Sequence, residues 1–204
     1  MADEKIRIRT NEELELREKY FLEIVDIFER NNIPFFLQAG VVLGAYRENY
    51  FIKWDWDVEF GMFSNDFIEN YELIRSKLVE KKFKIFHEIK SPKDGKIDCF
   101  KGIDHKSTLF EILSWSLDKN KNSYRRWKIN IPREFLEKDH KIKFLNKYFK
   151  CPGPVEDYLT YQYKDWKVPR ITSNKNEYLS DNFLEKDYFV KKFIFKIFKK
   201  LFNK

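Results

Sequence analysis

Leu14, Phe21, Ile24, Val25 and Phe28 recur at helical spacing across residues 10–31, which predicts an amphipathic helix. Thr10 and Glu13 stand three apart at its start, the spacing of a capping box. Pro34 then opens a short extended piece that leads into a glycine-bearing turn, where Gly40 and Gly44 flank Val41-Val42-Leu43. Residues 54–60 change period: Trp54-Asp55-Trp56-Asp57-Val58-Glu59-Phe60 alternates apolar and acidic side chains. On a strand this alternation puts Asp55, Asp57 and Glu59 on one face and Trp54, Trp56, Val58 and Phe60 on the other. Ser64 caps a second expected helix carrying Phe67, Tyr71, Ile74 and Leu78. Strands are expected over 83–90 and 96–101, around a turn at 91–95, and again over 107–115. Residues 116–122 read as a polar loop, and 142–154 as a hairpin-like segment leading into a helix over 155–164. The order is α+β: a mixed sheet flanked by helices, as one catalytic-sized domain over 1–180 and a separate helical tail over 181–204.

Composition agrees with a packed domain. At 204 residues, with 43% hydrophobic and 18% aromatic content, the chain can bury a sizeable core and is not generally disordered. A net charge of +7 points to a phosphate-rich partner or an anionic membrane. Arg125-Arg126-Trp127-Lys128 is the compact basic and aromatic cluster outside the tail, suited to the phosphates or base of a nucleotide. No nucleic-acid module is recognisable, so no nucleic-acid partner is expected. Cys99 and Cys151, with three histidines in the chain, form no metal-ligand pattern, and the expectation is buried, reduced thiols. The first residues lack a basic leader followed by an apolar run, and no apolar stretch approaches the roughly 18 residues of a membrane span. A cytoplasmic protein is expected.

The acidic strand carries the candidate chemistry. Like-charged carboxylates spaced roughly 7 Å apart along a strand repel one another, and a hard divalent cation reverses that penalty. Mg²⁺ is characteristically held by one or two carboxylates together with substrate phosphates. The ordinary alternative is a solvated acidic face on a half-buried strand. Gly40 and Gly44 permit close approach of a ligand to the backbone, and Arg47 offers a fork of donors to a phosphate.

Gly40, Leu43-Gly44-Ala45, Arg47 and then Phe51-Ile52-Lys53-Trp54-Asp55-Trp56-Asp57-Val58-Glu59 resemble the signature of the LicD/fukutin family. Downstream, Ile131-Pro132, Cys151-Pro152-Gly153-Pro154, Tyr158-Leu159, Tyr163, Asp165-Trp166 and Pro169 resemble that family's closing motif, so the resemblance covers roughly residues 20 to 170. Lys53 stands for the usual proline, Trp56 for the middle aspartate, Glu59 for the final aspartate and Lys164 for a glycine.

The resemblance implies a nucleotidyltransferase-like fold and transfer of phosphocholine or a polyol phosphate from a CDP-activated donor to a hydroxyl of a cell-surface glycan, with release of CMP. It implies Mg²⁺, with Mn²⁺ as an alternative, held by Asp57, Glu59 and a third carboxylate, with Asp55 assisting. It also implies donor phosphates at Gly40, Gly44 and Arg47. For the third carboxylate, Glu111 is favoured because it is an isolated charge within Leu109-Phe110-Glu111-Ile112-Leu113; Asp98, in Ile97-Asp98-Cys99, is the alternative. Two rival readings are a nucleotidyltransferase that attaches a nucleoside monophosphate with release of pyrophosphate, and a non-catalytic relative of the fold. The segment 116–154 is expected to shape the specificity pocket.

The tail gives one more expectation. Over 190–204, Phe193, Ile194, Ile197, Phe198, Leu201 and Phe202 share a helical face, with Lys191, Lys192, Lys196, Lys199 and Lys200 opposite. Such a helix suits the surface of an anionic membrane, while a terminal helix docked on the core is the alternative.

Overall fold

The computed structural model describes residues 6–90, 95, 97–104, 108–126 and 129–183. The tail segment 190–204 lies outside the described residues. In chain order the elements are α1 (Asn11–Arg30), β1 (Phe36–Leu37), α2 (Ala39–Arg47), β2 (Asp57–Phe63), α3 (Ser64–Glu80), β3 (Lys84–Lys90) and β4 (Ile97–Ile103). These are followed by β5 (Leu109–Asp118), β6 (Ser123–Arg126), β7 (Ile129–Pro132), α4 (Arg133–Glu137), β8 (Lys141–Phe144), β9 (Lys147–Lys150), α5 (Val155–Gln162) and α6 (Lys175–Tyr178).

Helix α1 starts as its sequence dictates. The Thr10 hydroxyl accepts the Glu13 N–H and the Glu13 carboxylate accepts the Thr10 N–H, closing the capping box. Its apolar stripe lies on a mixed sheet of order β1-β2-β5-β4-β3, and the β6–β7 hairpin extends the sheet from the far end of β5. Strands β2 and β5 run parallel, and every other pairing is antiparallel. Parallel pairing needs a long crossover, which α3, β3 and β4 supply.

The period-two reading of β2 sorts its two faces. Val58, Phe60 and Met62 are fully buried on the helix side. Phe60 stacks on Phe21 of α1 with ring centroids 5.3 Å apart, and Phe100 of β4 meets Phe67 of α3 at 5.8 Å. Much of the chain's phenylalanine goes into this core: Phe21 also touches Phe51, Phe144 and Phe149, so α1, the segment before β2 and the β8–β9 hairpin share one aromatic cluster. Cys99 and Cys151 are buried free thiols, and burial pushes each up to about 12, which keeps them unreactive.

Four local expectations are corrected. Gly40 and Gly44 lie inside α2, which begins abruptly at Ala39 with a φ of 48°. The glycine-bearing segment is therefore helical where a turn was expected. Asp55 precedes β2 instead of lying on it, because the carbonyls of Asp55 and Trp56 are taken by Arg9 and Arg17 and cannot join a ladder. Ser64 is the first helical residue of α3, with Phe63 in the cap position and no side-chain cap bond. The polar stretch 116–122 begins as strand and only 119–122 form a turn: Ser116, Leu117 and Asp118 pair with Arg125, Tyr124 and Ser123. The Asp118 carboxylate then accepts the N–H groups of Asn120 and Lys121 to make the turn.

Candidate active site

The face of β2 away from α1 and α3 carries Asp57 and Glu59. In the parallel register Glu59 is the direct partner of Glu111 on β5, and Glu111 is the direct partner of Lys101 on β4. Side chains directly across a ladder share a face, so Asp57, Glu59, Glu111 and Lys101 lie together. Asp57 and Glu111 are each 5% exposed and Glu59 is half-buried. The Lys101 ammonium pairs with the Glu111 carboxylate and stands 6.0 Å from the centre of the Trp56 ring. Asp98 falls at an irregular step of β4, where Ile97 and Cys99 oppose the consecutive residues Lys90 and Ile89. The β4–β5 register begins only at Cys99, so Glu111, not Asp98, is placed beside Glu59.

Asp55 reaches the same group from the loop before β2. Its Oδ1 accepts the Trp56 N–H at 3.0 Å, and its carbonyl accepts from Arg17 Nη2 at 2.9 Å and from Arg9 Nη1. Its Oδ2 lies against Gly40, where a Cβ would come within 2.0 Å of it. Only glycine lets the start of α2 approach this carboxylate so closely. Arg17 is 1% exposed and its Nε and Nη1 have no hydrogen-bond partner among the described residues. It acts as a buried positive charge below Asp55 and Asp57.

The electrostatics are those of crowded acids. Burial holds the Asp57 carboxyl well above the usual carboxylate range, and Glu59, Asp55 and Glu111 add to the shift while Lys101 opposes it. Burial, then Glu111 and Asp55, push Glu59 up to about 8, opposed by Arg126 and Lys175. Burial also raises Asp55 against the pull of Arg17 and Arg9. The unfolded chain ionises such groups at about pH 4. Between that value and about 8 the folded chain therefore binds more protons than the unfolded chain. Stability is full below the unfolded value and is lost as pH rises through the folded one. Thermal melts in EDTA should show the melting temperature falling by several degrees from pH 5 to pH 8. Glu59→Gln should flatten that slope, and a flat wild-type profile would contradict the crowding.

Other expected residues have different placements. Arg47 donates to the Glu48 carboxylate at 2.6 Å and to the Trp166 carbonyl at 3.0 Å, tying α2 to the segment after α5. Gly44 packs against the Tyr50 carbonyl, which a Cβ would meet at 2.5 Å. The closing motif does come to the site: the Tyr158 hydroxyl accepts the Ala39 N–H at 3.2 Å. The Tyr163 and Tyr178 phenols are raised by burial first, and Glu59 and Asp55 raise them further. Lys101, Arg17, Tyr178 and Lys175 were not singled out from sequence. Nothing local distinguishes Lys101 among so many lysines, and only the β4–β5 register reveals it.

Asp57, Glu59 and Glu111 offer hard carboxylate oxygens whose mutual repulsion a divalent cation would relieve, so their chemistry fits Mg²⁺ or Mn²⁺. Among the described residues, no three His, Cys, Asp or Glu side chains close around an ion as they stand. Glu111 is instead paired with Lys101. Nor, among the described residues, is any helix long and apolar enough to cross a membrane.

A search of curated proteins found no match. Among solved structures, the chain is similar to the solution structure of the antibiotic-resistance factor ANT(2'')-Ia, with a TM-score of 0.50 and 12% identity over 72% of each chain. It also resembles the crystal structure of that factor in complex with adenylyl-2''-tobramycin, with a TM-score of 0.49 and 12% identity over 72% of this chain and 76% of the other. The lincomycin-bound lincosamide antibiotic adenylyltransferase LnuA gives a TM-score of 0.49 and 12% identity over 79% of this chain and 93% of the other. At such identity the likeness concerns the fold. The family model LicD/FKTN/FKRP, nucleotidyltransferase domain, matches residues 32–154, a span that includes β1, α2, the acidic strand β2 and the partner strand β5. The acidic strand and its carboxylate partner thus sit within a nucleotidyltransferase domain, the domain of a transferase, and the chain belongs to the LicD/FKTN/FKRP family.

Proposed function

We propose that the protein is a Mg²⁺-dependent transferase that moves phosphocholine or a polyol phosphate from a CDP-activated donor to a glycan hydroxyl, releasing CMP. The observation that carries this reading is the Glu59–Glu111 pairing beside Asp57, inside the matched domain. Asp57, Glu59 and Glu111 would hold the metal, with Mn²⁺ as an alternative, and Asp55 would assist from the loop before β2. A divalent cation there supplies charge neutralisation and orientation for a diphosphate.

The chain's own residues account for the rest of the step. The acceptor oxygen attacks the phosphorus that bears the cargo, the bond from that phosphorus to the CMP oxygen breaks, and CMP leaves with the electron pair. Glu111 is the base assigned to the acceptor's hydroxyl proton. Gly40, expected beside the donor phosphates, is packed against the Asp55 carboxylate, which would have to swing away to admit them. Gly44 and Arg47, also expected there, would have to yield their present partners to reach them. Arg126, close enough to Glu59 to lower its carboxyl, is a further cation for the donor. The basic tail over 190–204 would add peripheral contact with the inner face of an anionic membrane.

Calorimetry with CDP-choline, CDP-ribitol, CDP-glycerol, CTP and ATP, in Mg²⁺ and in EDTA, tests the reading. The expected result is Mg²⁺-dependent binding of one CDP-linked donor, and release of CMP once the acceptor is supplied. Binding of a nucleoside triphosphate alone, with pyrophosphate as product, would replace it with nucleotidyl transfer. Silence from all five would leave the fold without this chemistry.

A further inference from the structure

We propose that Lys101 is the resident counter-cation of the acidic site, displaced from Glu111 when the divalent ion arrives and released to hold the donor's phosphate. The inference rests on the transferase reading but concerns a residue that neither family motif contains. Three placements carry it. Lys101 is the direct cross-strand partner of Glu111, so its position is fixed by the ladder and not by a mobile loop. Its ammonium pairs with the Glu111 carboxylate, one of the three oxygen donors that a metal would require. It also stands over Trp56, which is 49% exposed and offers its ring as a second resting place for a cation.

An ammonium and a divalent ion brought to one carboxylate repel each other, so each weakens the other's hold on it. Lysine has the flexible four-carbon stem needed to leave, and its compact charge suits a phosphate oxygen. Metal binding would thus free the cation that the donor needs, and donor binding would remove the cation that competes with the metal. Linkage makes the effect reciprocal: each ligand tightens the other by the same factor. Among the described residues the carboxylates do not close around an ion as they stand, and Glu111 is held by Lys101 instead.

Electron paramagnetic resonance of Mn²⁺ tests this without any turnover. Lys101→Met keeps the stem and removes the charge, and Lys101→Arg keeps the charge; circular dichroism verifies that both are folded. The Met variant should bind Mn²⁺ about tenfold more tightly than wild type, the scale of removing one nearby like charge, while the Arg variant should not. Adding CDP should tighten Mn²⁺ binding in wild type and do so less in Lys101→Met. Equal or weaker Mn²⁺ binding by Lys101→Met would overturn the counter-cation role with the metal site intact. Undiminished CDP coupling in that variant would overturn the phosphate role. Absence of Mn²⁺ binding in every form would instead remove the metal reading, and this inference with it.

Discussion

Asp57→Asn should give a folded protein whose transferase turnover is about a thousandfold lower or worse, with no rescue by saturating Mg²⁺. Asparagine has the same shape and occupies the same 5%-exposed site at the first position of β2, so the strand and its register should persist. What is lost is a negative charge at the centre of the group, flanked by Glu59, Asp55 and Glu111. A neutral amide oxygen is a far weaker ligand for a hard cation, and removing one preorganised electrostatic partner of a transition state commonly costs two to three orders of magnitude, about 3–4 kcal/mol. Stability should move the other way. Burial and three neighbouring acids hold the Asp57 carboxyl well above the range of the unfolded chain, so folding at pH 8 works against its ionisation and the metal-free variant should melt higher than metal-free wild type. The pair of results is diagnostic, because a merely structural aspartate would lose stability on replacement. Full turnover by Asp57→Asn with Mg²⁺ would end the assignment.

The features that were legible in the sequence share one physical property: they are set by neighbours along the chain. The Thr10–Glu13 box and the α1 stripe follow from helical spacing, and the sorting of Val58 and Phe60 from Asp57 and Glu59 follows from the pleat. Glu111 could be singled out because a lone charge inside an apolar run needs a partner. What that partner is could not be read. Glu59 and Glu111 are paired across a parallel crossover spanning α3, β3 and β4, and register across such a distance depends on packing that no local pattern encodes. The same holds for Lys101, whose role comes entirely from standing opposite Glu111.

Two misreadings have causes that the local pattern does not carry. Asp55 continued the alternation perfectly, yet Arg9 and Arg17, from the segment before α1 and from α1 itself, claim the carbonyls that a strand would have used. Residues 116–122 looked like loop because of their polarity. Ser116 and Asp118 nevertheless alternate with Leu117, and the β6 strand that satisfies their backbone bears the Arg125-Arg126 pair noted for its charge. Charge drew attention to that pair, whereas its position, hanging from the end of β5 near Glu59, came from the ladder.

Phe21→Ala should cost about 3–5 kcal/mol in urea denaturation, the range for truncating a fully buried phenylalanine. The side chain is 1% exposed and meets four other rings: Phe60 at 5.3 Å, Phe144 at 5.5 Å, Phe51 at 5.6 Å and Phe149 at 5.7 Å. Those partners come from β2, β8, the segment before β2, and β9, so neighbouring elements cannot easily collapse into the space without moving one another. Tyr148→Ala is the matched control: Tyr148 lies on the same hairpin but is 71% exposed, and its loss should stay within about 0.5 kcal/mol. The core change also reaches the chemistry. Phe60 stacks on Phe21 from the back of β2, one residue from Glu59, so a cavity there loosens the strand that aims the carboxylates. Phe21→Ala should therefore weaken Mn²⁺ binding severalfold while Tyr148→Ala leaves it unchanged. Equal stability losses in the two variants would mean that α1 is not what holds the acidic strand in place.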